Sequence, residues 1–373
     1  MPERAAPLVL VTTPPDGQPF GSHAAVANDG QRLLAADLSR RLGRLGCAVV
    51  ALPASKVEDF HWGRWFTDGA RRALAASSGA VDAIGYAGGG AMPLLADDDL
   101  DALLSPIPGE VVANSRFSAD AFVVAGDLGA AFTALETCET DNAAPRRLND
   151  AGFAWRDLGA APWARFDVDT TLDFALLRLA TRLPSMRMLD PSVRGYLEMA
   201  RLPGGHGLEI PHLEPIGEVI RNRHGELVVA GRVPGATSAF LETETACRIR
   251  SFIEERGMRS VRGEQPPRSI LAALMARSSP GELVAELGRL GDAVVLDTRV
   301  LMAAVGGSSD ASAWPPEEER FASDFGDRAR IDTPWLAELT AAAVAAPVPF
   351  LLGGHALISD GLRIIVAAAW QGR

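Results

Sequence analysis

The chain has 373 residues, of which 47% are hydrophobic and 22% are charged, and its formal net charge is −11 at pH 7. This length accommodates two domains, no apolar run approaches the ~20 residues of a membrane-spanning helix, and the negative charge argues against a nucleic-acid backbone as the main partner. The three cysteines, Cys47, Cys138 and Cys247, are odd in number and far apart. We therefore expect no disulfide framework and a reducing, cytoplasmic location.

Strand and helix patterns alternate along the first 80 residues. A short apolar run at Leu8–Val11 predicts the first strand, and leucines near helical spacing predict a helix at Arg32–Leu45. The run Cys47–Leu52 predicts a second strand, and Gly69–Ala76 predicts a second helix. This order is typical of an α/β layer. The residues His61, Trp62 and Trp65 within Ser55–Trp65 form either an aromatic wall for a base or sugar or a hydrophobic cover over the sheet edge.

The stretch from Val81 to Leu104 combines a strand, a glycine turn and a helix. Val81–Ala87 is a mostly apolar run that predicts a buried strand in a parallel sheet. Gly88, Gly89 and Gly90 follow it, and glycines allow positive φ and the close approach of another backbone or a ligand. These three glycines are therefore candidate ligand-binding residues. Three aspartates then place negative charge at a helix start, where the helix dipole favours it.

This stretch resembles the centre of the nucleotidyltransferases of the GT-A (nucleotide-diphospho-sugar transferase) superfamily. It is most similar to the branch that holds the molybdenum-cofactor and phospholactate nucleotidyltransferases. Those families carry an Asp-apolar-Pro-Leu-Leu step, whose Asp holds Mg²⁺ against the nucleotide phosphates. Ala91–Leu95 (AMPLL) matches this step, but Ala91 stands at the position of the metal-binding Asp. Alanine has no side-chain oxygen for a hard cation, so the resemblance implies a fold without its metal ligand.

The first loop departs from the same family in a second way. In the family, glycines of this loop bring the backbone to the triphosphate, and an Arg and a Lys neutralise its charge. Gly17 and Gly21 remain here, but the sequence from Ala5 to Gln31 contains no Lys or Arg. A triphosphate carries roughly four negative charges, so we expect weak binding of a triphosphate by this loop.

The region Gly109–Ala125 supplies three further candidate residues. The resemblance implies that a strand here lines the acceptor site, and its polar members include Asn114, Arg116 and Asp120. Arg116 has the chemistry to meet a phosphate or a carboxylate. The alternative is that these residues belong to a surface loop between two strands.

The segment Phe166–Asp173 resembles the family element in which Asp-apolar-Asp-Thr opens the last helix of the domain. Two interpretations remain open. Either Asp169 or Thr170 caps a helix that begins here, or Asp167 or Asp169 contacts a metal ion.

The second half of the chain matches no family that we recognise. We predict a hairpin over Gly217–Val233 and an amphipathic helix over Thr243–Arg256. Two predicted strands end in chemically useful residues, because Arg299 follows the first and His355 follows the second. Ligands of α/β proteins bind at the carboxyl ends of strands, so Arg299 and His355 predict a site for an anionic ligand, with His355 as acid or base. The alternative is that His355 is a satisfied turn residue.

Together these patterns predict an α/β protein of two domains. Residues 1–185 form a GT-A (Rossmann-like) mixed sheet with flanking helices, and residues 186–373 form a second α/β or α+β domain of unknown role. We expect a nucleotidyltransferase-like pseudoenzyme that has lost metal and triphosphate handling. Such a protein would bind a nucleotide or sugar phosphate, or serve as an assembly subunit for a partner protein, with no nucleic acid and no membrane as partner.

Two alternatives to this expectation remain. The first is an active nucleotidyl- or glycosyltransferase that uses rearranged acidic ligands, and only this one calls for Mg²⁺ as a cofactor. The second is catalysis in the C-terminal domain. The sequence does not determine whether the chain is an enzyme, which residues are catalytic, the substrate or the oligomeric state.

Overall fold

The computed structural model describes residues 6–14, 21–54, 60–116, 118–158, 161–184, 186–254 and 267–371. By its contacts the chain divides into two compact units. The first comprises Met1–Gly17, Asn28–Asp167 and Arg187–Val193. The second comprises Gln18–Ala27, Val168–Met186 and Arg194–Arg373. Residues 168–185, which the sequence-based division places in the first domain, are thus counted with the second unit, as is Gln18–Ala27, whereas Arg187–Val193 is counted with the first unit.

The first unit contains a six-stranded mixed sheet with the strand order β2-β1-β3-β5-β4-β6. Its strands are β1 (Leu8–Thr13), β2 (Ala48–Pro53), β3 (Ala83–Ala87), β4 (Glu110–Ala113), β5 (Ala121–Ala125) and β6 (Ala154–Asp157). Its helices are α1 (His23–Arg44), α2 (Trp62–Ala76), α3 (Asp97–Leu103), α4 (Leu128–Leu135) and α5 (Ala144–Asp150). β5 runs antiparallel to both of its neighbours, whereas β1, β2 and β3 are parallel. The predicted Rossmann-like mixed α/β sheet is confirmed.

Burial explains why the central strands lack the alternation of a half-exposed sheet. Every residue of Leu8–Val11 is buried, as expected for a strand covered on both faces. On one face Trp62 of α2 stacks on Phe66, with ring centroids 5.1 Å apart, and meets Tyr86 of β3 edge to face. Trp62 therefore belongs to the hydrophobic core and covers the inner strand β3 rather than the edge of the sheet.

The second unit contains a four-stranded parallel sheet with the order β10-β9-β7-β8. Its strands are β7 (Glu226–Gly231), β8 (Arg248–Ile253), β9 (Ala293–Asp297) and β10 (Phe350–Gly353). Its helices are α6 (Thr171–Ala180), α7 (Pro191–Met199), α8 (Leu213–Arg221), α9 (Gly235–Glu244), α10 (Ile270–Arg277), α11 (Pro280–Gly288), α12 (Arg299–Gly306), α13 (Glu317–Asp324), α14 (Pro334–Ala345) and α15 (Leu362–Gln371). Parallel strands joined by helices make this unit α/β rather than α+β.

Two local predictions in this unit are wrong. The expected hairpin at 217–233 is instead the end of helix α8 followed by β7, and β7 pairs with the parallel strands β8 and β9. Ile216 and Ile220 are both buried, and their spacing of four residues is that of a helix face. The expected helix at 243–256 is wrong over residues 243–254, which contain the end of α9 followed by strand β8; residues 255 and 256 lie outside the described ranges.

None of the helices in the described ranges is both long and apolar enough to cross a bilayer. All three cysteines lie within these ranges, and no disulfide joins any two of them.

Helix α1 begins in the segment Gln18–Ala27, which belongs to the second unit, and its first residue is His23. The His23 side chain is buried in this unit and forms no hydrogen bond with any described residue. Its side chain is 1% exposed and stacks on Phe325, with ring centroids 5.7 Å apart. Its Nε2 lies 3.7 Å from the Asp327 carboxylate, which is too far for a hydrogen bond. Burial lowers the pKa of His23 below 6.5, although the charges of Glu318 and Asp327 oppose this shift.

The burial of His23 predicts that acid lowers the stability of the protein. One substitution should reduce this effect. As pH falls below about 6.5, the unfolded chain takes up a proton at His23 that the folded chain does not, so the free energy of unfolding should decrease. His23→Phe keeps a ring against Phe325 and removes the titrating group. We expect urea unfolding at pH 8.0 and pH 5.5 to differ less for this variant than for the wild type.

The matched control is His224→Gln, which changes an exposed histidine of the same unit. Equal pH dependence in the wild type and in His23→Phe would show that His23 contributes nothing to acid sensitivity.

Candidate active site

The glycine turn after β3 is occupied by neighbouring protein backbone. The N–H of Gly89 donates to Thr12 Oγ1 at 2.9 Å, and a Cβ on Gly89 would lie 2.5 Å from the Thr12 carbonyl oxygen. The N–H of Gly88 donates to the Asp120 carbonyl at 2.8 Å, and Gly90 is buried. These predicted ligand-binding glycines therefore allow two parts of the sheet to approach each other closely.

The polar candidates near β4 and β5 are engaged in the fold of the first unit. The Asn114 side-chain oxygen accepts the N–H groups of Asp120 and Ala121 at 3.0 and 3.1 Å. Its amide nitrogen donates to the Ala164 carbonyl at 3.0 Å and to the Asp120 carboxylate at 3.3 Å. The side chain of Asn114 thus forms its hydrogen bonds within the protein.

Arg116 contacts an aromatic ring of β6 in the first unit. Its guanidinium lies over the indole ring of Trp155, 3.9 Å from the ring centroid, and its side chain is exposed. This cation–π contact keeps the charge at the surface of the first unit.

The carboxylate of Asp97 is surrounded by arginines. Arg41 Nε donates to it at 2.8 Å, and nitrogens of Arg44 and Arg187 each lie 3.9 Å from it. Burial alone would raise the pKa of Asp97, but the hydrogen bond and charge of Arg41, with the other two cations, hold the pKa below its usual value. A carboxylate that is already neutralised in this way is a poor metal ligand.

Arg41 and Arg187 also donate to the backbone of Ala91–Leu95, the segment that resembles the family motif. Arg41 is 1% exposed and donates to the Leu95 carbonyl, while Arg187 donates to the Pro93 carbonyl at 3.1 Å. The backbone of Ala91 pairs with that of Asp167 in an isolated antiparallel bridge. Within the described ranges, no three His, Cys, Asp or Glu side chains are grouped to hold a metal ion. The residues present therefore do not fit the Mg²⁺ site of the family.

In the second unit, three parallel strands end at a buried carboxylate. Asp297, the last residue of β9, is 0% exposed and accepts Nε and Nη2 of Arg299 at 2.8 and 3.0 Å. It also accepts the backbone N–H groups of Arg299 and Arg232, at 3.1 and 3.2 Å. Burial would raise the pKa of Asp297, but the charge and hydrogen bonds of Arg299 keep the pKa below its usual value.

Glycines at the neighbouring strand ends make room for this ion pair. Gly231 at the end of β7 has φ +118°, and a Cβ there would lie 2.4 Å from Asp297 Cβ. A Cβ on Gly354, just after β10, would lie 2.6 Å from Arg299 Nε. Because real Cβ atoms essentially never come this close, a side chain at either position would displace part of this ion pair.

His355 follows directly and forms a pair with Asp169. Its Nδ1 lies 3.0 Å from Asp169 Oδ2, and the two side chains are 28% and 46% exposed. Nε2 forms no hydrogen bond with the described residues. Burial lowers the pKa of His355, and Arg299 adds to this shift, whereas Asp169 opposes it. His355 also has φ +48°, a left-handed conformation that is strained for a residue with a side chain.

Two further buried carboxyl groups lie next to this pair. Asp173 in the first turn of α6 is fully buried, and burial together with the charge of Asp169 raises its pKa to about 7. Asp324 at the end of α13 is nearly buried, and burial together with the charge of Asp173 raises its pKa well above the usual value. Thr170 caps α6 with Asp173 in a capping box, as the capping interpretation predicts.

The structure therefore separates the predicted site residues into two groups. Asp169, Arg299 and His355 come together in the second unit. The others lie in the first unit: Gly88, Gly89, Gly90, Asn114, Arg116, Asp120 and Asp167. The sequence-based candidates omit Asp173 and Asp324. The capping pattern Thr170–Asp173 marks Asp173 as a helix residue only, and the sequence around Asp324 carries no signal of a site.

The arginines around Asp97 lead to a stability prediction. Arg41→Leu removes the donor to the buried Leu95 carbonyl, and each buried acceptor left unpaired costs about 1–3 kcal/mol. We expect urea unfolding to give a free energy lower by about 3 kcal/mol. The control is Arg44→Leu, an exposed arginine 3.9 Å from the same carboxylate, with an expected loss below about 1 kcal/mol. Similar losses for both variants would contradict the assigned role of Arg41.

Comparisons with profiles of known protein families and with curated proteins find no match for this chain.

Proposed function

We propose that the second unit carries an acid–base site for an anionic substrate, in which His355 removes a proton from an attacking water or hydroxyl group. The observation that carries this proposal is the 3.0 Å contact between His355 Nδ1 and Asp169 Oδ2 at the carboxyl end of a parallel sheet. Backbone strain at His355 supports it, because strained residues cluster at functional sites. This corresponds to the alternative of catalysis in the C-terminal domain.

The arrangement suits His355 to act as a base. When Asp169 accepts the proton on Nδ1, the lone pair of the imidazole is on Nε2. The lowered pKa keeps the ring neutral near pH 7, so it can accept a proton from the nucleophile. Asp169 then stabilises the imidazolium that forms.

Arg299 supplies the positive charge for the substrate. Its Nε and Nη2 groups donate to the Asp297 carboxylate, whereas Nη1 forms no hydrogen bond with the described residues. The side chain is held rigidly, because it is only 14% exposed and packs against Gly354. A rigid guanidinium with an open N–H group is well suited to a phosphate or carboxylate.

For the first unit we propose the role expected from its resemblance. It is a nucleotidyltransferase-like domain without metal and triphosphate handling, and it binds a nucleotide, a sugar phosphate or a partner protein. Ala91 and the arginines around Asp97 support this role. The active-transferase alternative needs free carboxylates such as Asp97 and a cation from Arg116, and the contacts of both residues weigh against it. We also propose a cytoplasmic location, which the absence of disulfides among the cysteines supports.

The acid–base proposal predicts the effect of removing the base. The wild type should hydrolyse at least one 4-nitrophenyl ester that carries a phosphate, a phosphodiester or a carboxylate group. His355→Gln should lower kcat/KM by about 10²–10⁴, the usual contribution of a general base. In the wild type, activity should fall as pH is lowered, because protonation of His355 removes the base.

The control is His224→Gln, an exposed histidine that precedes β7 at the opposite end of the sheet. Absence of turnover with every ester, or equal losses for the two variants, would contradict the proposed role of His355.

The role of the first unit predicts that nucleotide binding is independent of metal. Thermal unfolding with UDP-glucose should shift equally with and without Mg²⁺, because Asp97 is already neutralised by Arg41. Saturation at 100 times the dissociation constant would add about 2.7 kcal/mol, which such a scan detects. Release of pyrophosphate from a nucleoside triphosphate that requires Mg²⁺ would contradict the proposal.

A further inference from the structure

One buried carboxylate contacts both segments that carry the His355–Asp169 pair. Asp173 Oδ2 accepts the backbone N–H groups of Asp169 and Thr170 at 3.1 and 2.9 Å, and the Thr170 hydroxyl at 3.0 Å. Its other oxygen, Oδ1, accepts the N–H of Ala356 at 3.2 Å. Ala356 is the neighbour of His355, so Asp173 lies behind the pair and touches the backbone on both sides.

We propose that Asp173 is a positioning residue, which holds Asp169 and His355 at hydrogen-bonding distance without touching the substrate. This inference rests on the function proposed above for the pair. Helix capping explains the contacts of Oδ2 with the Thr170 segment. It does not explain the contact of Oδ1 with Ala356, which lies 183 residues further along the chain.

The ionised carboxylate is the only form of this side chain that satisfies all of these donors. A carboxylate accepts on both oxygens, whereas an amide or a protonated acid has one accepting oxygen and one donor group. In Asp173→Asn the NH₂ group must face either the N–H of Ala356 or the N–H groups of Asp169 and Thr170. Two donors cannot bond each other, so one of the two segments loses its hydrogen bonding to the side chain of residue 173.

The charged groups around Asp173 also make the geometry of the His355–Asp169 pair dependent on pH. Asp169 on its own loop adds negative charge next to it, and Asp324 on α13 is a second buried carboxyl group beside it. Arg299 on α12 adds positive charge, and His355 is the residue before Ala356. Burial and Asp169 raise the pKa of Asp173 to about 7. Protonation of Asp173 as pH falls through about 7 therefore weakens the hydrogen bonds that hold the two segments.

The test is the protonation state of the His355 ring, observed by NMR with ¹⁵N-labelled histidine and assigned with His355→Gln. At pH 8 the wild type should show a neutral ring with its proton on Nδ1, and this signature should weaken as pH falls through about 7. At pH 8, Asp173→Asn should give a mixture of the two neutral tautomers. A purely structural role would lower stability but leave the tautomer of the folded protein unchanged.

The matched control is Asp324→Asn, which removes a neighbouring buried carboxyl group that forms no hydrogen bond with either segment. It should keep the proton on Nδ1. Should Asp173→Asn fail to fold, Thr170→Val removes one donor to Oδ2 and should still give a partial shift in tautomer. Retention of the Nδ1 proton in the Asp173 or Thr170 variant, or an equal shift in Asp324→Asn, would overturn the proposal. Because no substrate is needed, absence of turnover would leave this result unaffected.

Discussion

The carboxyl end of the second unit's sheet depends on one buried negative charge being compensated. An isolated carboxylate with the burial of Asp297 would cost several kcal/mol, and Arg299 offsets this with its charge and two side-chain N–H groups. The guanidinium must lie along the strand ends to do so, and Gly354 leaves the space for it. The ion pair, the glycine and the turn that carries His355 therefore form a single arrangement, in which a change at one position disturbs the others.

A common local motif connects this arrangement to the opposite side of the candidate site. Thr170 and Asp173 form a capping box, which stabilises the start of α6 wherever it occurs. Here the same carboxylate also accepts an N–H from the segment after β10. The first turn of α6 is thereby joined to the end of the sheet, and Asp169 is placed within reach of His355. Local capping energy and the geometry of the site thus come from the same side chain.

The parts of this structure that follow from local patterns could be predicted from the sequence. Buried apolar runs identify the central strands, and the rule that ligands bind at strand ends selects Arg299 and His355. Alternating residues at 248–253 could not be told from a helix face by composition, because exposed arginines suit both. The pairing of Asp169 with His355 spans 186 residues and depends on tertiary packing, as do the arginines that neutralise Asp97. No spacing in the chain encodes these contacts.

The second unit is built from stretches that lie far apart in the sequence, and this determines the order in which its parts are synthesised. Asp169 and Asp173 belong to Val168–Met186, whereas Arg299 and His355 come from the long final stretch. At a synthesis rate of about 5–20 residues per second, the ribosome adds His355 about 9–37 s after Asp169, which lies 186 positions earlier. During this interval α6 has its own cap, but α15, one of the helices that it contacts, has not yet been synthesised. The candidate site therefore forms only after the ribosome has added His355.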